Sequence, residues 1–420
     1  MPASSRGLPG TSASSPVPRG AEESLAKTAQ PIPYARQSID EDDIAAVIAA
    51  LRADFLTQGP TIAEFEAALA TATGARHAVA VSSGTAALHL SMLALGLGPG
   101  RTGLTSPITF AASANCFLYA GAEAAFVDVD AHSGLMAPAA LDAELTRRSA
   151  AGGKPGVVVA VSLAGRAADL PALAKVCARH AWTLVEDAAH SFGATYRDDG
   201  SVYRSASCAH TQAAILSFHP VKHICTGEGG AVLTNDDALA AHVRRLRTHG
   251  IERPAPEKNP VGEGAWFYEQ VELGYHYRLT DLQAALGLSQ LRKLPRFLER
   301  RRTLARRYAE TLAGEPFARI LRAPAFDGQH AYHLYVVHFR SPEDRRAAYE
   351  HLAAAEIRAQ VHYIPVYRHP YYRERYGERP LPGAEAFYSG CLSLPLFPAM
   401  TDAEQDRVIA ALADFARIRR

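Results

Sequence analysis

Short apolar runs alternate with amphipathic stretches along most of the chain. Apolar residues between Ile44 and Leu51 recur at i, i+3, i+4 and i+7, which predicts a helix that Asp40 can cap. Further helices are predicted at Ala63–Thr71, Ala86–Leu95, Phe110–Tyr119, Ala137–Thr146 and Leu170–His180. Strands are predicted at Ala78–Ser82, Thr102–Ser106, Ala124–Val129, Gly156–Ser162, Trp182–Glu186, Ala213–Ser217 and Gly230–Thr234. The alternation predicts an α/β fold with a mostly parallel sheet, whose ligands bind at the carboxyl ends of the strands.

The last third of the chain has a different pattern. A long, basic helical stretch begins near Asp281 and continues to about Leu312, and Pro295 is expected to kink or split it. Strands are then predicted at Tyr332–Phe339 and Ala359–Ile364, with helices at Ala348–Ala354 and Asp402–Ala416. The pattern predicts a disordered tail over residues 1–31, a large domain over 32–285, and a smaller C-terminal α/β domain over 286–420 that begins with a long interdomain helix.

Composition removes several classes of function. The 420 residues include 44 Lys and Arg against 43 Asp and Glu, so no charge excess is available for nucleic acid or an anionic membrane. No apolar run is long enough to span a membrane. The five cysteines have no C-x-x-C spacing, so neither a metal site nor a redox pair is predicted. Scattered thiols and the absence of a secretory apolar block favour a cytoplasmic protein.

Three segments follow predicted strands and carry chemistry. Gly84 and Thr85 begin a helix whose free N–H groups could hold a phosphate, although a plain helix cap is the alternative. Asp187 ends a buried strand, where a carboxylate needs a cationic or hydrogen-bonding partner unless it caps the next helix. Lys222 lies in a segment bounded by Pro and Gly, and a sheltered lysine becomes a nucleophile for carbonyls, whereas an exposed one stays an ammonium. The set matches the three needs of pyridoxal phosphate: a phosphate cup, a carboxylate for the ring nitrogen and an amine for the aldehyde.

With these motifs the chain resembles the DegT-type nucleotide-sugar aminotransferases, which have the aspartate-aminotransferase fold (fold type I). The resemblance extends from about Ile32 to Ala416. It implies that Lys222 is the catalytic residue, which bonds to the cofactor and moves the substrate proton. It also implies cofactor contacts, with Asp187 at the ring nitrogen, His190 near the phenolic oxygen and Phe110 stacked on the ring. Gly84, Thr85 and Ser217 match positions that hold the phosphate.

Other segments resemble the members that aminate carbon 4 of a UDP-linked 4-keto-6-deoxy-N-acetylhexosamine on the route to pseudaminic acid. The segments that carry this resemblance are 32–34, 54–60, 106–110, 360–365 and 393–396. It implies glutamate as amino donor and sugar contacts from Tyr34, Gln58, His362 and Tyr363, which could also be structural polar residues. Three alternatives remain: an aminotransferase for another nucleotide-linked 4-keto or 3-keto sugar, a sugar dehydratase, and a cofactor-binding regulatory protein. Lys222 argues against the dehydratase, because dehydratases of this fold carry His at that position.

One departure from the family pattern matters for the site. His276 stands where relatives usually have Asn, a residue that reaches the cofactor phosphate of the partner subunit. Histidine can still donate one hydrogen bond there. The resemblance therefore implies a homodimer whose active site lies at the subunit interface, with His276 as a cofactor contact across it.

Overall fold

The structure is a computed structural model that describes residues 30–255, 260 and 263–419. Apart from residues 30 and 31, the predicted N-terminal tail lies outside the described residues. The described chain opens with helices α1 (Glu41–Leu51) and α2 (Pro60–Thr73). Asp40 caps α1 as predicted, and the Asp43 side chain accepts in return from the Asp40 N–H, so that the two residues form a capping box.

A seven-stranded sheet forms the centre of the molecule. Its strands are β1 (His77–Val81), β2 (Thr102–Thr105), β3 (Glu123–Phe126), β4 (Val157–Val161), β5 (Thr183–Asp187), β8 (Ala213–Ser217) and β9 (Gly230–Thr234); the strands β6 (Thr195–Asp198) and β7 (Ser201–Arg204) form a separate hairpin. The sheet order is β1-β9-β8-β5-β4-β2-β3, and β9 alone runs antiparallel to its neighbours. All seven strands coincide with predicted ones to within a few residues, which confirms the mostly parallel sheet.

Helices cover both faces of this sheet because its strands are apolar on both sides. They are α3 (Gly84–Ala94), α4 (Ala112–Tyr119), α5 (Pro138–Ala150), α6 (Leu170–Arg179) and α7 (Asp237–Arg247). In β4, Val159 belongs to the apolar cluster that includes α3 and α4, whereas Val158 belongs to the cluster that includes α5 and α6. The alternation of side chains along a strand thus divides one apolar run between two cores.

A long helix leads to the C-terminal part of the chain. Helix α8 (Asp281–Leu312) continues through Pro295, so the helix is not split there, and the alternative of a kink stays a prediction. Its first residue, Asp281, accepts hydrogen bonds from the N–H groups of Gly59 (2.8 Å) and Thr61 (3.1 Å), which fixes the start of α2. The division at residues 285 and 286 stays a prediction, and α8 extends across it.

The C-terminal part has its own small sheet and core. Strands β12 (Leu321–Arg322), β13 (Tyr335–Phe339) and β14 (Cys391–Leu394) form an antiparallel sheet. The helices of this part are α9 (Pro342–Ala354), α10 (Pro370–Tyr376), α11 (Pro382–Gly390) and α12 (Asp402–Ile418). A short antiparallel pair, β10 (Ile251–Glu252) and β11 (Glu269–Gln270), lies before α8 in the chain. The predicted strand Ala359–Ile364 is wrong. Only Gln360 pairs there, with Ser393, and Pro365 prevents a continuous ladder.

Candidate active site

A cavity of about 410 Å³ lies where the parallel strands end. Strand β5 ends at Asp187 and β8 ends at Ser217, so both residues reach the same edge of the sheet. Ten of the twelve residues predicted for the site line this cavity: Tyr34, Gly84, Thr85, Phe110, Asp187, His190, Ser217, Lys222, His362 and Tyr363. The volume is in the range typical of small-molecule sites.

One end of the cavity is formed by the start of α3. Ser83 caps this helix by accepting from the Ala86 N–H at 3.0 Å, so a helix cap is present here, and the binding of a phosphate by the same helix start stays a prediction. Gly84 approaches Ser217 so closely that a Cβ on Gly84 would lie 2.9 Å from the Ser217 Cβ. The two strand-end segments can therefore present backbone N–H groups and hydroxyls to a single anion.

Asp187 is held in place by hydrogen bonds to both of its oxygens. Ser113 donates to Oδ2 at 2.6 Å, and the Ala189 N–H donates to Oδ1 at 3.1 Å. Burial raises the pKa of Asp187, while Ser113, Ala189 and the charge of Lys222 lower it against that effect. This carboxylate is therefore oriented and ready to accept a cation or a protonated ring nitrogen.

Lys222 follows β8 in a loop rather than in a regular element. Burial lowers the pKa of its amine from 10.5 to about 8; Asp187 opposes this decrease, and the buried Arg301 adds to it. A substantial fraction of the amine is therefore neutral near pH 8 and able to attack a carbonyl carbon. This is the sheltered lysine that the sequence predicted, as opposed to an exposed ammonium.

His190 joins the cavity to the loop behind it. Its Nδ1 lies 3.4 Å from the Ala164 N–H and accepts from it, and its Nε2 lies 3.2 Å from the Tyr363 hydroxyl. Burial lowers the pKa of His190 well below its usual value, so the ring is neutral. With Nδ1 as acceptor the proton is on Nε2, which leaves the Tyr363 hydroxyl free to donate into the cavity.

Aromatic residues form the open side of the cavity. Phe110 is 62% exposed although it is a large apolar side chain, and its ring centroid lies 6.5 Å from that of Tyr363. The Tyr34 and His362 rings are 5.4 Å apart, and Ser393 holds the His362 Nδ1 at 2.9 Å. Since an ordinary core Phe is buried, the exposure of Phe110 favours a role in binding a ring.

The two remaining predicted residues do not line the cavity within one chain. Gln58 is exposed and has a left-handed backbone (φ 57°), next to the bridge between Thr57 and Thr280. His276 is also exposed and is bridged to Thr248. The roles predicted for Gln58 and His276 in the site therefore stay predictions.

Sequence reasoning missed several residues of the site. Ser113 lies in the first turn of α4, but a serine inside a buried helix gives no distinctive signal. His219 and Glu228 also line the cavity. Arg301 lies in the basic stretch of α8, yet it is fully buried and donates to the carbonyls of Tyr332, His333 and Leu396.

The residues present fit pyridoxal phosphate. A helix start with free N–H groups suits the phosphate, the fixed Asp187 carboxylate suits the ring nitrogen, and the Lys222 amine of lowered pKa suits the aldehyde. Among the described residues no group of acidic, His or Cys side chains could hold a metal, and no helix is long and apolar enough to cross a membrane. Fold and site together define a pyridoxal-phosphate-dependent transferase of fold type I.

Comparison with known proteins agrees with this class. Residues 37–413 match the model of the DegT/DnrJ/EryC1/StrS aminotransferase family. The spore coat polysaccharide biosynthesis protein SpsC of Bacillus subtilis is 37% identical over 394 residues, which is 92% of this chain and 97% of that protein. The chain therefore belongs to the DegT/DnrJ/EryC1/StrS aminotransferase family, and it is a sugar aminotransferase that depends on pyridoxal phosphate.

Two solved structures have nearly the same fold. Helicobacter pylori PseC, an aminotransferase involved in the biosynthesis of pseudoaminic acid, superposes with a TM-score of 0.82 at 28% identity, covering 93% of this chain and 100% of that one. The putative sugar aminotransferase Spr1654 from Streptococcus pneumoniae, in its PMP form, superposes with a TM-score of 0.83 at 28% identity over 92% of this chain and 99% of that one. Spr1654 is also known in a PLP form, consistent with the cofactor assigned above.

Proposed function

We propose that the protein transfers the amino group of glutamate to the C4 ketone of a UDP-linked 4-keto-6-deoxy-N-acetylhexosamine. The product is UDP-4-amino-4,6-dideoxy-N-acetyl-β-L-altrosamine, for pseudaminic acid biosynthesis. The observation that carries the transamination is that the Lys222 amine and the Asp187 carboxylate share one cavity. The sugar assignment is supported by the likeness to PseC and by the sequence segments around the cavity.

Three parts of the chain would hold the cofactor's phosphate, ring nitrogen and ring. The start of α3 with Gly84, Thr85 and Ser217 would bind its phosphate, Asp187 would hold its ring nitrogen, and Phe110 would cover its ring. When bound, pyridoxal phosphate supplies an aldehyde that condenses with amines and a ring that accepts an electron pair from the neighbouring carbon.

Lys222 would then do two things in turn. It would hold the cofactor until glutamate displaces it, and its free amine would remove the proton from the amino acid α-carbon. With the keto sugar in the same cavity, Lys222 would carry out the reverse proton transfer and give a proton to the sugar carbon that is aminated. A pKa of about 8 suits both tasks, because a general base works best when its pKa is close to the working pH.

The active site is proposed to lie at the interface of a homodimer. Gln58 and His276 are exposed in one chain and would complete the site of the partner, with His276 at the cofactor phosphate and Gln58 at the sugar. Exposed apolar side chains nearby, such as Phe55 (56%) and Leu56 (46%), support an interface beside Gln58. Within one chain, Tyr34, His362 and Tyr363 would contact the sugar from the cavity wall.

A second candidate is amination of a different nucleotide-linked 4-keto or 3-keto sugar. The identity of 37% to SpsC, whose name places it in polysaccharide biosynthesis, favours this alternative. The hypothesis of a dehydratase conflicts with the lysine at position 222, where dehydratases of this fold carry histidine. A purely regulatory role conflicts with the intact pair of Lys222 and Asp187.

A substrate panel separates these candidates. Purified protein would be offered UDP- and dTDP-linked 4-keto-6-deoxy sugars with glutamate, and the products would be identified by NMR. The proposal expects amination at C4 of the UDP-linked N-acetylhexosamine, with the Lys222→Arg variant inactive. Turnover of a dTDP-linked sugar alone, or amination at C3, would replace the proposed substrate without affecting the transaminase assignment.

A further inference from the structure

A second cavity, of about 470 Å³, lies behind the active site. It is bounded by the loop after β3, the segment 163–166, the end of β12 and strand β13. Ala164 belongs to the wall of this second cavity, and the N–H of the same residue donates to His190 in the first. None of the residues assigned to the cofactor or the sugar lines the second cavity.

The walls of the second cavity carry an excess of donors suited to an anion. Arg322 is exposed at the rim of the cavity, donates to the His132 Nδ1 at 2.7 Å and has no carboxylate partner among the described residues. The His338 Nε2 is buried and has no hydrogen-bond partner in the described chain. Arg166 also lines the cavity, with an ion pair to Asp327 at 3.3 Å. A guanidinium without a counter-ion and a buried unsatisfied ring nitrogen both favour an incoming oxyanion.

The one carboxylate in the wall does not oppose this reading. Asp130 turns its Oδ1 toward its own loop, where it accepts from the N–H groups of His132 (3.1 Å) and Ser133 (2.8 Å) and from the Ser133 hydroxyl (2.8 Å). These bonds lower the pKa of Asp130 against the effect of burial. Asp130 is therefore ionised, and its hydrogen-bonded oxygen is directed into its own turn.

The rest of the wall is apolar and aromatic. Phe387 meets the His338 ring edge to face, with centroids 4.8 Å apart, and Leu163 and Leu334 also line the cavity. An occupant that satisfied the polar groups and also filled the space would carry an apolar or aromatic body.

Ala164 connects the two cavities mechanically. It has a left-handed backbone (φ 60°), which is unfavourable for a residue with a Cβ. Hydrogen bonds to its N–H and to its carbonyl group hold it in this conformation. Its carbonyl accepts from the Leu334 N–H at 3.0 Å on the side of the second cavity, and its N–H donates to His190 on the side of the first. A shift of Leu334 or Leu163 would therefore reach His190 through a single residue.

We propose that the second cavity is a regulatory site for a small organic anion, a carboxylate or phosphate on an apolar or aromatic body, which acts on the active cavity through Ala164 and His190. The proposal rests on the described contacts and not on which sugar is aminated.

The first test is binding of phenyl phosphate, phenylacetate and inorganic phosphate to the cofactor-loaded protein, measured by calorimetry. Loading with cofactor fills the phosphate position at the start of α3, and the Arg322→Gln variant separates binding at the second cavity from binding elsewhere in the active cavity. We expect at least one of the two aromatic anions to bind with a Kd of about 1 mM or tighter, and inorganic phosphate to bind more weakly. Arg322→Gln should weaken this binding at least about tenfold, while the control Arg346→Gln, at an exposed arginine of α9, should leave it unchanged. Absence of binding up to about 10 mM, or equal binding by the Arg322→Gln variant, would overturn the proposal.

The second test concerns coupling. The anion that binds should change the visible absorbance of the bound cofactor, and Ala164→Gly should reduce that change while binding is retained, because glycine adopts the left-handed conformation freely. Binding that leaves the absorbance of the wild-type protein unaltered would contradict the regulatory role.

Discussion

The hydroxyl of Ser113 is expected to lower the pKa of Asp187 and so to keep its carboxyl group ionised. Its bond of 2.6 Å to the buried carboxylate is a hydrogen bond to an ionised group, a kind that contributes about 1.5–3 kcal/mol. Ser113→Ala removes it without adding volume. Since about 1.4 kcal/mol corresponds to one pKa unit, the variant should raise the pKa of Asp187 by about 1–2 units.

The sign of the effect on binding follows directly. Asp187 must be ionised to hold a protonated ring nitrogen, so cofactor affinity falls as pH decreases through the Asp187 pKa. Burial already raises that pKa, and Ser113→Ala raises it further, so the loss of affinity should begin at higher pH. At a fixed pH below both the wild-type and the variant pKa, affinity should fall about tenfold or more.

The assay is a titration of cofactor-free protein with pyridoxal phosphate, followed by absorbance from pH 5 to 8.5. Thr109→Val is the matched control. The Thr109 hydroxyl lies 2.8 Å from the Ser113 hydroxyl, so it is one hydrogen bond further from the Asp187 carboxylate. It should shift the profile by less than half as much. A Ser113→Ala profile that coincides with wild type would refute the role given to this bond.

Three further outcomes are expected. Phe110→Ala should weaken cofactor binding by titration yet leave the melting temperature within about 1 °C, since the side chain is 62% exposed; a fall of several degrees would make Phe110 a core residue. Arg301→Leu should lower the free energy of urea unfolding by about 3–5 kcal/mol, because three buried carbonyls lose their donor, and an unchanged midpoint would contradict that. Burial lowers the pKa of His330 to about 3 and that of His362 to about 4, so the unfolded chain binds more protons below pH 6.5. Stability should thus fall as pH decreases from 6.5 toward 4, and a urea midpoint that does not change over this range would refute it.

The sheet and the cofactor end of the site could be predicted because local signals agree with tertiary ones. Strands such as Ala213–Ser217 are apolar on both faces, a pattern that a buried parallel sheet requires. Asp187 and Lys222 follow such strands, and the carboxyl edge of the sheet brings them together. The wrong strand at Ala359–Ile364 has a suitable apolar pattern, but a strand also needs a partner, and Ser393 offers one residue only.

Other features depend on long-range packing that no local pattern reveals. Ser113 lies 74 positions from the carboxylate that it holds. Arg301 lies in a basic run, and only the carbonyls at 332, 333 and 396 show why it is buried. The second cavity forms from five separated segments, so its chemistry becomes visible only after folding.

The central claim is that Lys222 carries the cofactor. Protein loaded with pyridoxal phosphate would be treated with borohydride, which fixes the cofactor permanently on the amine that holds it, and the tagged peptide would be mapped by mass spectrometry. The label is expected on Lys222 and absent from the Lys222→Arg variant. A label on another lysine, or none in the wild-type protein, would contradict the account.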